Sequence, residues 1–457
     1  MTTRRAFIKR SLAVGGASVM ASQFGALNAL AQGNGDYKAL VCLFFLGGAD
    51  GHDSVIPLDD TSYRQWADIR RNLLSRYNND SRAQRNLEPL AARNAAALGG
   101  HSFGLAPELS PIANLFADGK MAVVGNVGPL IEPVTKAQID LGSARIPSRL
   151  ESHNDQQSIW QTSNFEGATI GWGGQLLDVS GSSSPFAAIS LSGASSFLQG
   201  RNTTPYSMSS RGVNLAPGQL NGFQGLGREQ LEMVLEQYND NTTQLSSLFA
   251  KDHAAAQQRL LALNMELATL LNSTSAGDSI REVGSSLADQ FGMIANMMDL
   301  APALGISRQV FFVGLGGFDS HSNQATSLPA LQSTVATALK AFYDHTVSVG
   351  LQNSVTTFTA ADFGRALRPN KTGTDHGWGN HHYVVGGAVN GGRILGDIPP
   401  PEFGHAQDNG EGRLIPTTSI EQYIAPLANW FGVSNGDLSS IFPNFGNFDT
   451  NTIRLMT

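Results

Sequence analysis

Residues 37–53 read YKALVCLFFLGGADGHD, and this stretch decides the fold. Tyr37–Leu46 is a continuous apolar run that ends at Gly47-Gly48, the pattern of a strand buried on both faces. Val310–Leu315 (VFFVGL) repeats it and again ends in two glycines, Gly316-Gly317. Lys120–Val127 and Ala187–Leu191 read as further short strands, Val355–Ala360 (VTTFTA) as another buried strand and His382–Val389 as one more. Helical patterns lie between them at Ser62–Tyr77, Pro107–Phe116, Asp155–Thr162, Arg228–Asn272, Ser279–Leu300, Leu328–Val349 and Ser419–Phe431. The last has Thr417 or Thr418 as its N-cap. Strands alternating with helices predict one α/β domain around a mostly parallel sheet, with a helical and loop-rich insertion at about residues 195–300.

Composition agrees with a large globular chain. Of 457 residues, 41% are hydrophobic and 15% charged, enough to bury a core and too little charge for disorder. Lys and Arg number 30 against 37 Asp and Glu, and the net charge of −7 argues against a nucleic-acid partner. A single cysteine, Cys42, excludes an intramolecular disulfide and a thiolate-rich zinc site.

In open α/β sheets, ligands bind beyond the carboxyl ends of the strands. There the chain carries Asp50, His52 and Asp53 after the first strand. Asp319 and His321 follow Val310–Leu315, and Asp362 and Arg365 follow Val355–Ala360. Asp375, His376, His381 and His382 lie in the loop before the last strand. Each has a plainer reading. Asp beside Gly makes turns, Asp319-Ser320-His321 makes a capped turn, and His381-His382 at a strand start gives one exposed and one packed ring. Together they offer the oxygen and nitrogen donors of a hydrolytic zinc or manganese site. Ser152-His153 opens the helix Asp155–Thr162. Ser152 or Asn154 is an N-cap there, or Ser152 is a nucleophile whose anionic substrate the helix N-terminus would stabilise.

The N-terminus pairs Arg4-Arg5 with Phe7 and Lys9 ahead of a weakly apolar stretch ending Ala29-Leu30-Ala31. It resembles a twin-arginine export signal over residues 1–31, leaving 32–457 as the mature domain. Removing its four basic residues leaves 26 against the same 37 acidic ones, a net charge of −11. No later stretch reaches the ~18 apolar residues of a membrane span. The expected place is the periplasm or outside the cell, with the twin-arginine machinery as a partner.

GGADG at 47–51, Ser152-His153, GFDSHSNQ at 317–324, ADFGR at 361–365, TDHGWGNHH at 374–382 and RLIPTTSIEQY at 413–423 resemble the bacterial family called domain of unknown function 1501. That family is grouped with the alkaline phosphatase and sulfatase superfamily. The resemblance implies an alkaline-phosphatase-like α/β sandwich and a metal site acting on phosphate or sulfate esters. By motif order, Asp50, Asp319, His321, Asp362, Asp375, His376, His381 and His382 are the implied metal ligands. Ser152, His153 and Arg365 are the implied catalytic groups, with Arg365 on the substrate oxyanion. The implied cofactor is a divalent metal, zinc first, then manganese, magnesium or calcium. Phe363 follows Asp362 where the superfamily has histidine, and Asp319 and His321 are separated by one residue. Those departures define the alternative, a catalytically degenerate exported binding or surface-assembly protein with no metal.

Overall fold

A computed structural model of the chain describes residues 37–164, 167–213 and 248–457. The export-signal reading and the first part of the Arg228–Asn272 helix lie outside the described residues. The main sheet is built from β1 (Lys38–Leu46), β2 (Met121–Gly128), β3 (Ala188–Ser190), β4 (Tyr206–Ser207), β5 (Arg308–Gly316) and β6 (Val355–Ala361). A hairpin of β7 (Arg365–Pro369) and β8 (Thr374–His376) follows. β9 (Asn380–Gly386), β10 (Arg393–Leu395) and β11 (Thr418–Ser419) then return to the main sheet. Its order is β10-β2-β9-β6-β1-β5-β3-β4, with β11 on β2. β9 runs antiparallel to both neighbours, and every other pairing in this sheet is parallel.

The apolar run of β1 explains its central place. Ala39, Val41, Leu43 and Phe45 face one core and Leu40, Cys42 and Phe44 the other, so both rows of side chains leave water. Full burial of a large apolar side chain contributes roughly 1.5–3 kcal/mol. The first core is covered by α2 (Ser110–Ala117), α6 (Ser286–Leu300) and α7 (Gln324–Ser348), with Phe291 stacked on Phe342 at 4.7 Å. The second is covered by α3 (His153–Thr162), α4 (Trp172–Ser180), α8 (Ile420–Phe431) and α9 (Asn435–Ile441). α1 (Asp60–Leu74) and α5 (Leu248–Leu271) complete the longer helices described. The molecule is thus an α/β sandwich on a mostly parallel sheet.

Three local expectations differ. The 279–300 helix is two pieces, Asp278–Arg281 and α6, because Gly284 turns the chain at φ +75° and Ser285 caps a new helix. α6 is a layer of the main core, tied to β5 by paired Gln290–Gly314 hydrogen bonds of 3.0 and 3.1 Å. Ser419, not Thr417 or Thr418, caps α8, in a reciprocal capping box with Gln422.

Because β2, β1, β5 and β6 share one direction and β9 opposes them, the carboxyl ends of four strands and the start of the fifth meet at one edge. Gly47 (φ +113°) turns β1 so tightly there that an added Cβ would lie 2.4 Å from the backbone nitrogen of Asp319. Gly47→Ala is therefore expected to destabilise by at least about 2 kcal/mol, combining left-handed strain with a backbone clash. A denaturant midpoint shifted to match at unchanged slope checks it.

Candidate metal centre

Asp319 stands at the middle of that edge, on the segment leaving β5, with its side chain about half exposed. His321 Nε2 lies 3.2 Å from its Oδ1, His376 Nε2 lies 3.3 Å from the same oxygen, and His153 Nε2 lies 3.7 Å from Oδ2. His153, Asp319 and His376 place one donor atom each within 4.8 Å of one another. His321 joins from the solvent side, with its Nε2 2.8 Å from that of His376.

The tautomers follow from what holds the other ring nitrogens. His153 Nδ1 is 2.6 Å from the buried Asp362 carboxylate, and His376 Nδ1 is 2.8 Å from the Glu151 carbonyl. His321 Nδ1 is 3.1 Å from Asp375 Oδ1. Carbonyls and carboxylates accept and do not donate, so all three Nδ1 atoms carry the proton and all three Nε2 lone pairs face Asp319. Two lone pairs 2.8 Å apart repel unless a cation or a proton sits between them. Carboxylate, carbonyl and imidazole in this order also form the outer support that orients metal-binding histidines.

Electrostatics suit a cation. Burial acts to raise the Asp319 carboxyl, but the hydrogen bond and charge of Arg365 outweigh it and hold it below the usual range. Burial lowers the His376 imidazole, keeping it neutral and free to ligate at pH 7. Asp375 is likewise held low, as hydrogen bonds from Asn370 and His321 outweigh its desolvation.

The remaining expected residues take other positions. Asp50 is fully buried against Arg70 of α1 in a two-point ion pair, and its Oδ2 also accepts from Gln324 at 2.6 Å. Its oxygens are engaged below the cluster. Gln324 in turn accepts from Ser320 (3.1 Å) and Thr374 (2.8 Å), so the pair props up the two ligand-bearing loops. Asp362 touches the cluster only through His153, and also accepts from Gln157 and the Gly47 amide. Arg365 is buried, and its donors reach the carbonyls of Gly47, Gly48, Phe318 and Thr374 as well as Asp319. That placement makes it a clamp on the loops instead of a group facing substrate.

His381 and His382 are both buried, against the expectation of one exposed ring. His381 Nδ1 accepts the Asn126 amide at 3.0 Å, and burial drives its pKa down to about 3. His382 packs against Trp160 and Tyr423, and burial alone lowers it to about 3. Of the late histidines, only His376 enters the cluster. Phe363, next to Asp362, packs its ring against His153 (4.8 Å) and His376 (4.4 Å), forming a wall.

Ser152 is the N-cap of α3 and follows Glu151, whose carbonyl holds His376. Its hydroxyl donates to Asp155 Oδ2 at 2.7 Å and does not bond the helix amides. The approach to it is strained: Arg149 and Glu151 adopt φ of 52° and 70°. Strain of this kind costs of order 1–3 kcal/mol and persists where surrounding structure enforces it.

Against known proteins, residues 37–411 match the family model described as Protein of unknown function (DUF1501), and the chain belongs to that family. No curated protein matches it. Among solved structures it is similar to PsFucS1 sulfatase from Pseudoalteromonas sp., at 8% identity and a TM-score of 0.35. That alignment covers 91% of this chain and 71% of the sulfatase. A likeness so loose carries no weight for the reaction.

Proposed function

We propose that this member of the DUF1501 family is an exported, metal-dependent hydrolase of phosphate or sulfate esters with Ser152 as nucleophile. The observation that carries the reading is the convergence of three imidazole lone pairs on Asp319, each ring locked by an acceptor on its far side. A donor set of three nitrogens and a carboxylate suits zinc, then manganese, ahead of magnesium or calcium. His153, Asp319 and His376 each place a donor atom within 4.8 Å of the others, close enough for one small cation to reach all three.

A divalent cation held by His153, Asp319, His376 and His321 would supply Lewis-acid charge at the ester oxygens and make a nearby hydroxyl more acidic. The chain's own groups do the rest. Asp155 takes the proton of the Ser152 hydroxyl it already accepts, and Oγ forms a bond to phosphorus or sulfur as the ester oxygen leaves and is protonated to an alcohol. Water then cleaves the seryl ester and releases phosphate or sulfate. The N-terminus of α3 adds favourable potential for the anion. Arg365 positions Asp319, and Asp362 positions His153.

The test is turnover of an aryl phosphate and an aryl sulfate by purified protein, abolished by a chelator and restored by zinc or manganese. No metal bound and no turnover with any added divalent ion overturns the reading. Asp362→Asn is expected to weaken metal binding about 10–100-fold by releasing the His153 ring, read by chelator competition. One observation favours the other reading, an exported binding protein without turnover. Arg365 is fully enclosed by backbone carbonyls and Asp319, so no guanidinium from that position meets a substrate oxyanion.

No helix among the described residues is long and apolar enough to cross a membrane. Export through the twin-arginine machinery, with a periplasmic or secreted destination, is part of the same proposal and rests on the leader sequence. A reporter fused to residues 1–31 tests it by its dependence on Arg4-Arg5.

A further inference from the structure

The end of α3 away from the metal centre opens on a cavity of 240 Å³. Leu130, Pro147, Ile159 and Pro443 give it apolar walls, and Glu421 lines it from the first turn of α8. Glu421 is 2% exposed. Its Oε1 meets the Ser163 hydroxyl at 3.5 Å, and its Oε2 has no hydrogen-bond partner among the described residues. Burial pushes this carboxyl up to about 7, and the groups opposing burial are hydroxyl, amide and backbone donors, with no lysine or arginine. A buried acid is ordinarily paired with a cation or saturated with donors; this one has no cationic partner, and one of its two oxygens is left unmet among the described residues.

The surroundings say which ligand would complete it. Ser163 is the left-handed C-cap of α3, so the helix presents its carbonyl end, which favours positive charge, to the same space. A carboxylate and a helix C-terminus repel anions, so the ester substrate proposed above does not suit this cavity. An ammonium group brings three donors and no acceptor, which matches an unpartnered carboxylate oxygen and neighbouring hydroxyl and carbonyl oxygens. The volume is below the ~300–1,000 Å³ of pockets for drug-sized molecules, which limits the apolar body to a few carbons.

We infer that this cavity is a binding site for a small alkylammonium ion, with the charged nitrogen on Glu421 and the hydrocarbon against Leu130, Ile159 and Pro443. The site is independent of the hydrolase reading, since none of its residues touches the metal cluster.

Calorimetric titration of the full chain with n-butylammonium, n-butanol and butyrate tests it. The amine is expected to bind at least about tenfold more tightly than the alcohol, and butyrate not at all. Glu421→Gln should lose about tenfold or more of the amine affinity while keeping the wild-type metal content. Ile159→Trp, which fills the cavity and leaves the acid in place, should block the amine and serves if Glu421→Gln fails to fold. Equal affinity for amine and alcohol, no amine binding, or wild-type affinity in the filled-cavity variant overturns the proposal. Loss of turnover elsewhere leaves these outcomes untouched, so the two proposals fail separately.

Discussion

Ser152→Ala is expected to lower turnover of an aryl phosphate or sulfate by at least about a thousandfold while the protein keeps its metal. The two readouts separate the serine from the cluster. Ser152 donates to Asp155 and lies next to the carbonyl that holds His376, and its hydroxyl is not hydrogen-bonded to Asp319 or to a ring nitrogen among the described residues. Asp319→Ala, in contrast, removes the carboxylate that every Nε2 in the cluster faces and should abolish both metal content and turnover. Elemental analysis beside initial rates gives the comparison. Unimpaired turnover by Ser152→Ala would show that the serine makes no covalent bond to substrate. Metal retained by Asp319→Ala would remove the centre itself.

Arg70→Met is expected to destabilise the fold by about 3–5 kcal/mol, the effect of leaving one partner of a buried ion pair uncompensated. Arg70 and Asp50 are both fully buried, and Asp53 lies 4.0 Å from the same guanidinium. Asp53 itself is held by Arg82 and the Tyr77 hydroxyl. Removing Arg70 therefore strands Asp50 without a cation, while Asp53 keeps Arg82. Asp50→Asn combined with Arg70→Met should recover a part of the loss, because the remaining buried charge is gone. Burial acts to raise the Asp50 carboxyl, but the Arg70 charge and hydrogen bond hold it below its ordinary value. Its contribution is therefore complete above about pH 4 and fades as pH falls towards its folded pKa. Urea midpoints of wild type, single and double variants across that range supply the check, and a loss under about 1 kcal/mol for Arg70→Met would contradict it.

Much of this architecture was legible because burial on two faces leaves an unambiguous mark. β1 and β5 carry unbroken apolar runs ending in glycines, and their pairing is parallel from Lys38↔Arg308 onward. The ends of such strands are where polar side chains become exposed, so Asp319, His321 and His376 could be singled out from position alone. The same logic misplaces Asp50. An aspartate just past a strand end can face the mouth of the sheet or turn under it, and the choice depends on a partner on α1. A signal for that partner existed: Ser62, Trp66, Arg70 and Leu73 fall on one helical face and are all buried. An arginine on an otherwise inward stripe calls for a buried acid. His153 was visible as the neighbour of Ser152, but its role depends on α3 lying across the end of β6, which spacing does not encode. His381 and His382 look equivalent to His376 in sequence. The sheet register separates them, since His382 sits inside β9 opposite Val124 while His376 ends the hairpin opposite Arg365.

The cluster draws its donors from the start of α3, the turn after β5 and the end of β8, which come together only when the sheet is complete. An unfolded chain thus offers no preformed grip, and on the metal proposal the ion would be captured last in assembly and would not trigger it. If the export proposal holds as well, the choice of ion would be made where the chain folds, before it is moved.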